Sequence, residues 1–208
     1  MWFHENAKII DYIKYFTKRK GIRVGLCPTT ITDYSFIKPY HTFYYKNQAS
    51  TRLRVNDFIY YSLCSNKINS RFYYPYGKFD ILIFQKNFSK DAYLLASKYK
   101  LRGTKIILDI NVNFFDLKSK RILETQYQDI MNFLNVTDLI ITTTNYLKNY
   151  ILENNIFTNV VVIHEILSED LFKISKIHKN KKTHINFLYF GYAVKASELE
   201  NIKYALEQ

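Results

Sequence analysis

A rhythm of short, unbroken apolar runs alternating with longer amphipathic stretches limits the folds open to this chain. Asp80-Ile81-Leu82-Ile83-Phe84-Gln85, Lys105-Ile106-Ile107-Leu108-Asp109, Asp138-Leu139-Ile140-Ile141-Thr142 and Val160-Val161-Val162-Ile163 are apolar at consecutive positions. Alternate side chains of a strand point to opposite faces. Runs like these must therefore be buried on both faces, as in a parallel sheet covered by helices on either side. Helical spacing runs from Asp91 to Arg102, from about Lys120 to Leu134 and from Asn145 to Asn154. Such connections are long enough for right-handed crossovers. Gly103 stands where a left-handed residue ends a helix. Upstream, Ile22-Arg23-Val24-Gly25-Leu26-Cys27 is a strand stopped by Pro28, and Ser50 to Ser65 reads as a helix. Arg71 to Tyr76 reads as a short strand closed by Pro75 and Gly77. The expected fold is α/β, a doubly wound, Rossmann-like parallel sheet over residues 21–172.

The flanks differ. Ile9, Ile13 and Phe16 recur at helical spacing among Lys8, Lys14 and Lys18, so residues 1–20 form an amphipathic helix that either caps the domain or rests on anionic lipid. Residues 173–183 are dense in lysine and read as a linker. A fresh strand, Ile185 to Phe190, then a Gly191 turn and a helix from Ala196 make 184–208 either the beginning of a second domain whose remainder is missing downstream or an extra layer docked on the first.

The net charge is +12, from 30 Lys+Arg against 18 Asp+Glu. That balance favours polyanions, or is simply a solvated lysine surface. The 19 Tyr and 16 Phe are read as compositional drift, without a recognition role. Cys27 and Cys64 lie in no metal or redox spacing and are expected as buried thiols in a reducing compartment. Lys8, Asp11 and Lys14 interrupt any signal-peptide core, and no run approaches the roughly 18 apolar residues that span a bilayer. The chain is expected to be cytoplasmic, with peripheral contact at an anionic membrane left open.

Ligands of open parallel sheets bind outside the carboxyl ends of the strands, where helix N-termini point. The residues there are Pro28-Thr29-Thr30, Gln85-Lys86, Asp109-Ile110-Asn111-Val112-Asn113, Thr142-Thr143-Thr144 and His164-Glu165. Lys86 offers a compact positive charge for phosphate or carboxylate. Asp109 is a candidate general base or a holder of hydroxyls, and Asn111 and Asn113 suit hydroxylated ligands. Each could instead cap a helix or tie a loop, and for Thr144 and Asn145 capping is the expected role. Ser50 is a candidate N-cap, and Arg52 and Arg54 behind it are either phosphate donors or surface charge. There is no Walker loop, no G-x-G-x-x-G, no G-x-S-x-G and no Asp-x-Asp pair. Histidines 4, 41, 164, 178 and 184 show no metal-ligand spacing. No metal and no cofactor are expected.

The ordered series "ASTRLRV", "DILIFQK", "RGTKIILDINVNFF", "DLIITTTNYLKNYI", "VVVIHEILSEDLF" and "INFLYFGY" resembles bacterial glycosyltransferases of the GT-B fold, in particular the glycogen-synthase-like retaining group. The resemblance implies two Rossmann-like domains flanking a cleft, the first holding a glycan or lipid-linked acceptor and the second a nucleoside diphosphate sugar donor. It also implies a retaining outcome. In this leading reading the strand-end residues Asp109 and Asn113 are the catalytic candidates. Ser50, Arg52, Arg54, Lys86, Asn111 and Thr144 become substrate contacts, and Gly191 becomes the turn beside the donor diphosphate. The sequence departs from the family at "DINVN", where a His-containing turn is usual, and at "VIHE", where Ile-Pro-Asn is usual. The paired glutamates that hold the donor would lie beyond Gln208, so a shortened chain is expected to be inactive by itself. Two other classes compete. A nucleic-acid-binding module would use the aromatic and basic stretch Tyr34 to Arg54, with Tyr44, Tyr45 and Lys46, but no nucleic-acid-binding fold signature accompanies it. A non-enzymatic receiver-like or scaffold domain would need an acidic cluster after its early strands, and Gly25 to Pro28 supplies none.

Overall fold

The computed structural model describes residues 20–28, 49–119, 122–165 and 203–206. The N-terminal helix, the 173–183 linker, the strand from Ile185 and the Gly191 turn lie outside the described residues. The chain divides into two compact units, Met1–Ser168 and Glu169–Gln208. In the second, the described part is a short helix, Lys203–Leu206. Among the described residues no helix is long and apolar enough to cross a membrane.

The first unit is built on six parallel strands: β1 Ile22–Pro28, β2 Ile68–Phe72, β3 Ile81–Gln85, β4 Lys105–Ile110, β5 Leu139–Thr142 and β6 Val160–Val162. They lie in the order β2-β1-β3-β4-β5-β6. The helical segment α1 follows β1 and comprises Ala49–Thr51, a π-helical stretch Arg52–Asn56 and Asp57–Ser62. Helices α2 (Lys90–Lys100), α3 (Glu124–Leu134) and α4 (Asn145–Glu153) follow β3, β4 and β5. The fold is α/β and doubly wound, as the apolar runs require.

Strand register separates the two faces of the sheet. Cys27, Phe84, Leu108 and Ile140 are paired neighbours and share one face. Phe84 meets Phe133 of α3 there, with ring centroids 5.0 Å apart. Pro28, Gln85, Asp109 and Ile141 share the other face, where Arg54 of α1 reaches Asp109. Ser70 of β2 meets Ser62 of α1 on that same face. The helix after β1 thus covers one side of the sheet and α3 the other. That is the expected result when right-handed crossovers run outward in both directions from β1. Phe84, Leu108, Ile140 and Phe133 are fully buried, each side chain contributing about 1.5–3 kcal/mol.

One connection departs from expectation. The strand anticipated at Arg71 to Tyr76 lies at Ile68–Phe72, and the passage from β2 to β3 contains no helix. Residues 73–80 instead cross directly over β1, with the Tyr73 amide donating to the Leu26 carbonyl and the Asp80 amide to the Arg23 carbonyl, both at 2.9 Å. Phe79 passes above Gly25, where a Cβ would stand 2.5 Å from Leu82 Cδ2 and 2.9 Å from Phe79 Cδ1. The glycine makes the short crossover possible. Tyr99 of α2 donates from its hydroxyl to the Gly77 carbonyl, 3.0 Å away, and seals the loop from outside.

Smaller corrections have local causes. The helix expected from Lys120 begins at Glu124, where Gln126 Oε1 accepts from the Leu123 amide. The helix expected to reach Ser65 ends at Ser62, which leaves Cys64 in an exposed turn; only Cys27 is a buried thiol. Gly103 adopts the left-handed conformation expected of it, at φ 85°.

Candidate site at the carboxyl edge of the sheet

At the end of β3, Lys86 turns into the left-handed region with φ 50°, while its amide still donates to the Asp109 carbonyl at 2.8 Å. The ladder therefore continues one residue past the strand before the chain swings toward α2. Asn87 is buried, and its Nδ2 donates to the Pro28 carbonyl at 2.9 Å, closing the gap between β1 and β3. Winding reverses at that gap, and parallel sheets open a crevice there.

Beside it, Asp109 is buried as the next-to-last residue of β4. Arg54 Nε donates to its Oδ2 at 2.7 Å, Arg54 Nη2 donates to Oδ1, and Nη1 donates to the Ile163 carbonyl at 3.2 Å. The side chains of the pair are 8% and 5% exposed. Arg54 thus ties α1 to β4 and to the end of β6. Burial pushes the Asp109 carboxyl above its ordinary range; the Arg54 bonds and charge oppose that rise, the Glu165 charge adds to it, and the Lys86 charge works against it. With both oxygens accepting from one guanidinium, Asp109 has the geometry of an anchor that positions Arg54. Arg54 is accordingly a buried structural donor and not the surface charge that is one expectation for it.

The neighbouring connections add polar groups. Asn111 Nδ2 donates to Glu165 Oε1 at 2.9 Å, while Asn111 Oδ1 is buried without a hydrogen-bond partner. His164 Nδ1 lies 2.9 Å from the Thr143 carbonyl, and because a carbonyl only accepts, the ring donates there. Asn113 Oδ1 accepts from the Phe115 amide at 2.9 Å, which makes it a turn-former. Thr144 is the N-cap of α4, its Oγ1 accepting from the Leu147 amide at 3.2 Å; that is the capping role expected of it. Ser50 is a helical residue within Ala49–Thr51, so the N-cap expected there does not form.

The π-helical stretch places Arg52 and Asn56 differently from Arg54. The Asp57 amide donates to the Arg52 carbonyl five residues back, and this wider turn separates Arg52 from Arg54 around the helix. Arg52 Nε and Asn56 Oδ1 are both buried and have no hydrogen-bond partner. The sequence carries no signal for Asn56, because nothing local distinguishes a helical asparagine that will be buried from one facing solvent.

The edge therefore brings together Arg54, Lys86, Asp109 and Asn111, joined by Glu165 and His164. It assigns Thr144 and Asn113 to local backbone bonds. Gly191 lies outside the described residues. Among the described residues, no group of three or more His, Cys, Asp or Glu side chains is arranged to hold a metal ion. Comparison with protein-family models, with curated proteins and with solved structures finds no match to this chain.

Proposed function

We propose that this chain is the acceptor-side portion of a sugar transferase that works with a nucleoside diphosphate sugar donor, and that the carboxyl edge of its sheet receives a hydroxyl-rich glycan or lipid-linked acceptor. Asn111 is the observation that carries the reading. Its amide nitrogen is bonded to the Glu165 carboxylate, which can only accept, so its oxygen must face the other way. That oxygen is buried and lacks a donor. An unfilled buried acceptor costs about 1–3 kcal/mol, and a sugar hydroxyl is a donor of the right kind to fill it. Lys86 and His164, on the adjoining connections, add polar groups at the same edge. Asp109 keeps Arg54 in place, and the edge rigid. Gly191 enters only through the family resemblance, as the turn nearest the donor diphosphate.

Saturation-transfer NMR with neutral oligosaccharides such as maltotriose and N-acetylchitotriose tests the reading. Saturation transfer to the sugar ring C–H protons is expected for the native chain and should vanish in Asn111→Leu with the circular dichroism unchanged. Absence of transfer to any neutral glycan overturns the assignment. Binding of mixed oligonucleotides that weakens steeply with salt, in place of glycan binding, would move it to a polyanion-binding module, consistent with the +12 charge.

A further inference from the structure

Arg52 and Asn56 are four residues apart in the π-helical stretch Arg52–Asn56. Asn56 is only 4% exposed. Its Oδ1 is a buried acceptor lacking a donor, and Arg52 Nε is a buried donor lacking an acceptor. Arg52 has no ion-pair partner among the described residues, in contrast to Arg54, whose guanidinium is taken up by Asp109 and the Ile163 carbonyl. The adjacent carboxylate, Asp57, has interactions of its own. Each orphan is costly by itself, Arg52 Nε more so because it belongs to a charged group. Two orphans of opposite kind within one turn of a π-helical stretch, a feature often found at functional sites, form a matched set.

We propose that Arg52 and Asn56 form an oxyanion subsite that selects a compact anion carrying its own O–H donor, with hydrogenphosphate or a hydroxyl-bearing sugar phosphate as the ligand class. The guanidinium takes the anionic oxygens through its planar donors. The Asn56 oxygen accepts the ligand's O–H. An anion without a proton would set an oxygen against that acceptor and leave it unsatisfied, so sulfate, of the same shape, is discriminated against. The subsite does not use Asn111 and stands whether or not the carboxyl edge takes a glycan.

The test is calorimetric titration of the full chain with inorganic phosphate and with sulfate at matched ionic strength and pH 7. Saturable phosphate binding, with sulfate weaker by about tenfold or more, is expected. Arg52→Gln should abolish phosphate binding with the circular dichroism unchanged. Asn56→Leu should remove the preference for phosphate over sulfate. Asn111→Leu should leave phosphate binding intact, so that failure of the glycan reading and failure of this one are distinguishable. Equal affinity for the two anions, no saturable phosphate binding, or phosphate binding unaffected in Arg52→Gln would each overturn the proposal.

Discussion

Replacing Arg54 by methionine removes a guanidinium that makes two bonds to Asp109 and one to the Ile163 carbonyl. The partner carboxylate stays behind on a side chain only 5% exposed. Breaking one half of a buried pair costs about 3–5 kcal/mol, because the remaining charge is desolvated without compensation. With a urea m-value of about 2 kcal/mol/M, the unfolding midpoint should fall by about 2 M. The loss should also depend on pH. Burial already raises the Asp109 pKa, and the Arg54 bonds are the main influence holding it down. A raised folded pKa means that the folded state binds the proton more tightly than the unfolded one. Stability from this group is then fully present below the unfolded carboxyl value and is lost as pH rises through the folded value. Without Arg54 the folded value climbs further, so Arg54→Met should be nearer the native chain at pH 4 than at pH 7. Urea titrations followed by far-UV circular dichroism at both pH values measure this. The double variant Arg54→Met/Asp109→Leu should recover most of the loss, since an apolar pair carries no stranded charge. A loss below about 1 kcal/mol, or a double variant less stable than Arg54→Met, would show that the pair is not the buried anchor described above.

Three further outcomes are expected. Gly25→Val should cost about 1–3 kcal/mol by forcing Phe79 and Leu82 aside. Gly103→Ala, with nothing within 4 Å of the added Cβ, should cost only the backbone penalty of its positive φ, about 1 kcal/mol, and thermal melts of the two variants separate packing from conformation. A thiol reagent applied to the native chain should modify Cys64 rapidly, while Cys27, whose thiol burial pushes well up, should react only on unfolding; timed labelling with mass spectrometry reads the two sites. Thr144→Ala should lower stability by about 1 kcal/mol through loss of the α4 cap without weakening glycan binding, and paired melting and NMR titrations would detect a direct ligand role as a change in binding.

Fold class is readable from the amino acids alone, because two-sided burial of a strand is a local property written in every residue of runs such as Ile81 to Phe84 and Ile106 to Leu108. The left-handed Gly103 and the Thr144 cap are readable for the same reason, since they depend on immediate neighbours. The position of β2 is not, since Ile68 to Phe72 mixes polar and apolar residues and its register is set by pairing with β1. Nor is the passage of residues 73–80 over Gly25 without a helix, because that requires knowing that β1 lies between β2 and β3. Asp109 stands out as important, but its role as the anchor of an arginine is hidden: the partner is 55 positions away, and folding selects which arginine of α1 turns toward the sheet. The π-helical stretch makes that choice, directing Arg54 to Asp109 and leaving Arg52 Nε and Asn56 Oδ1 without hydrogen-bond partners among the described residues. Local propensity carries no record of long-range pairing, so charges that look equivalent along the chain become an anchor and the proposed anion subsite only when it has folded.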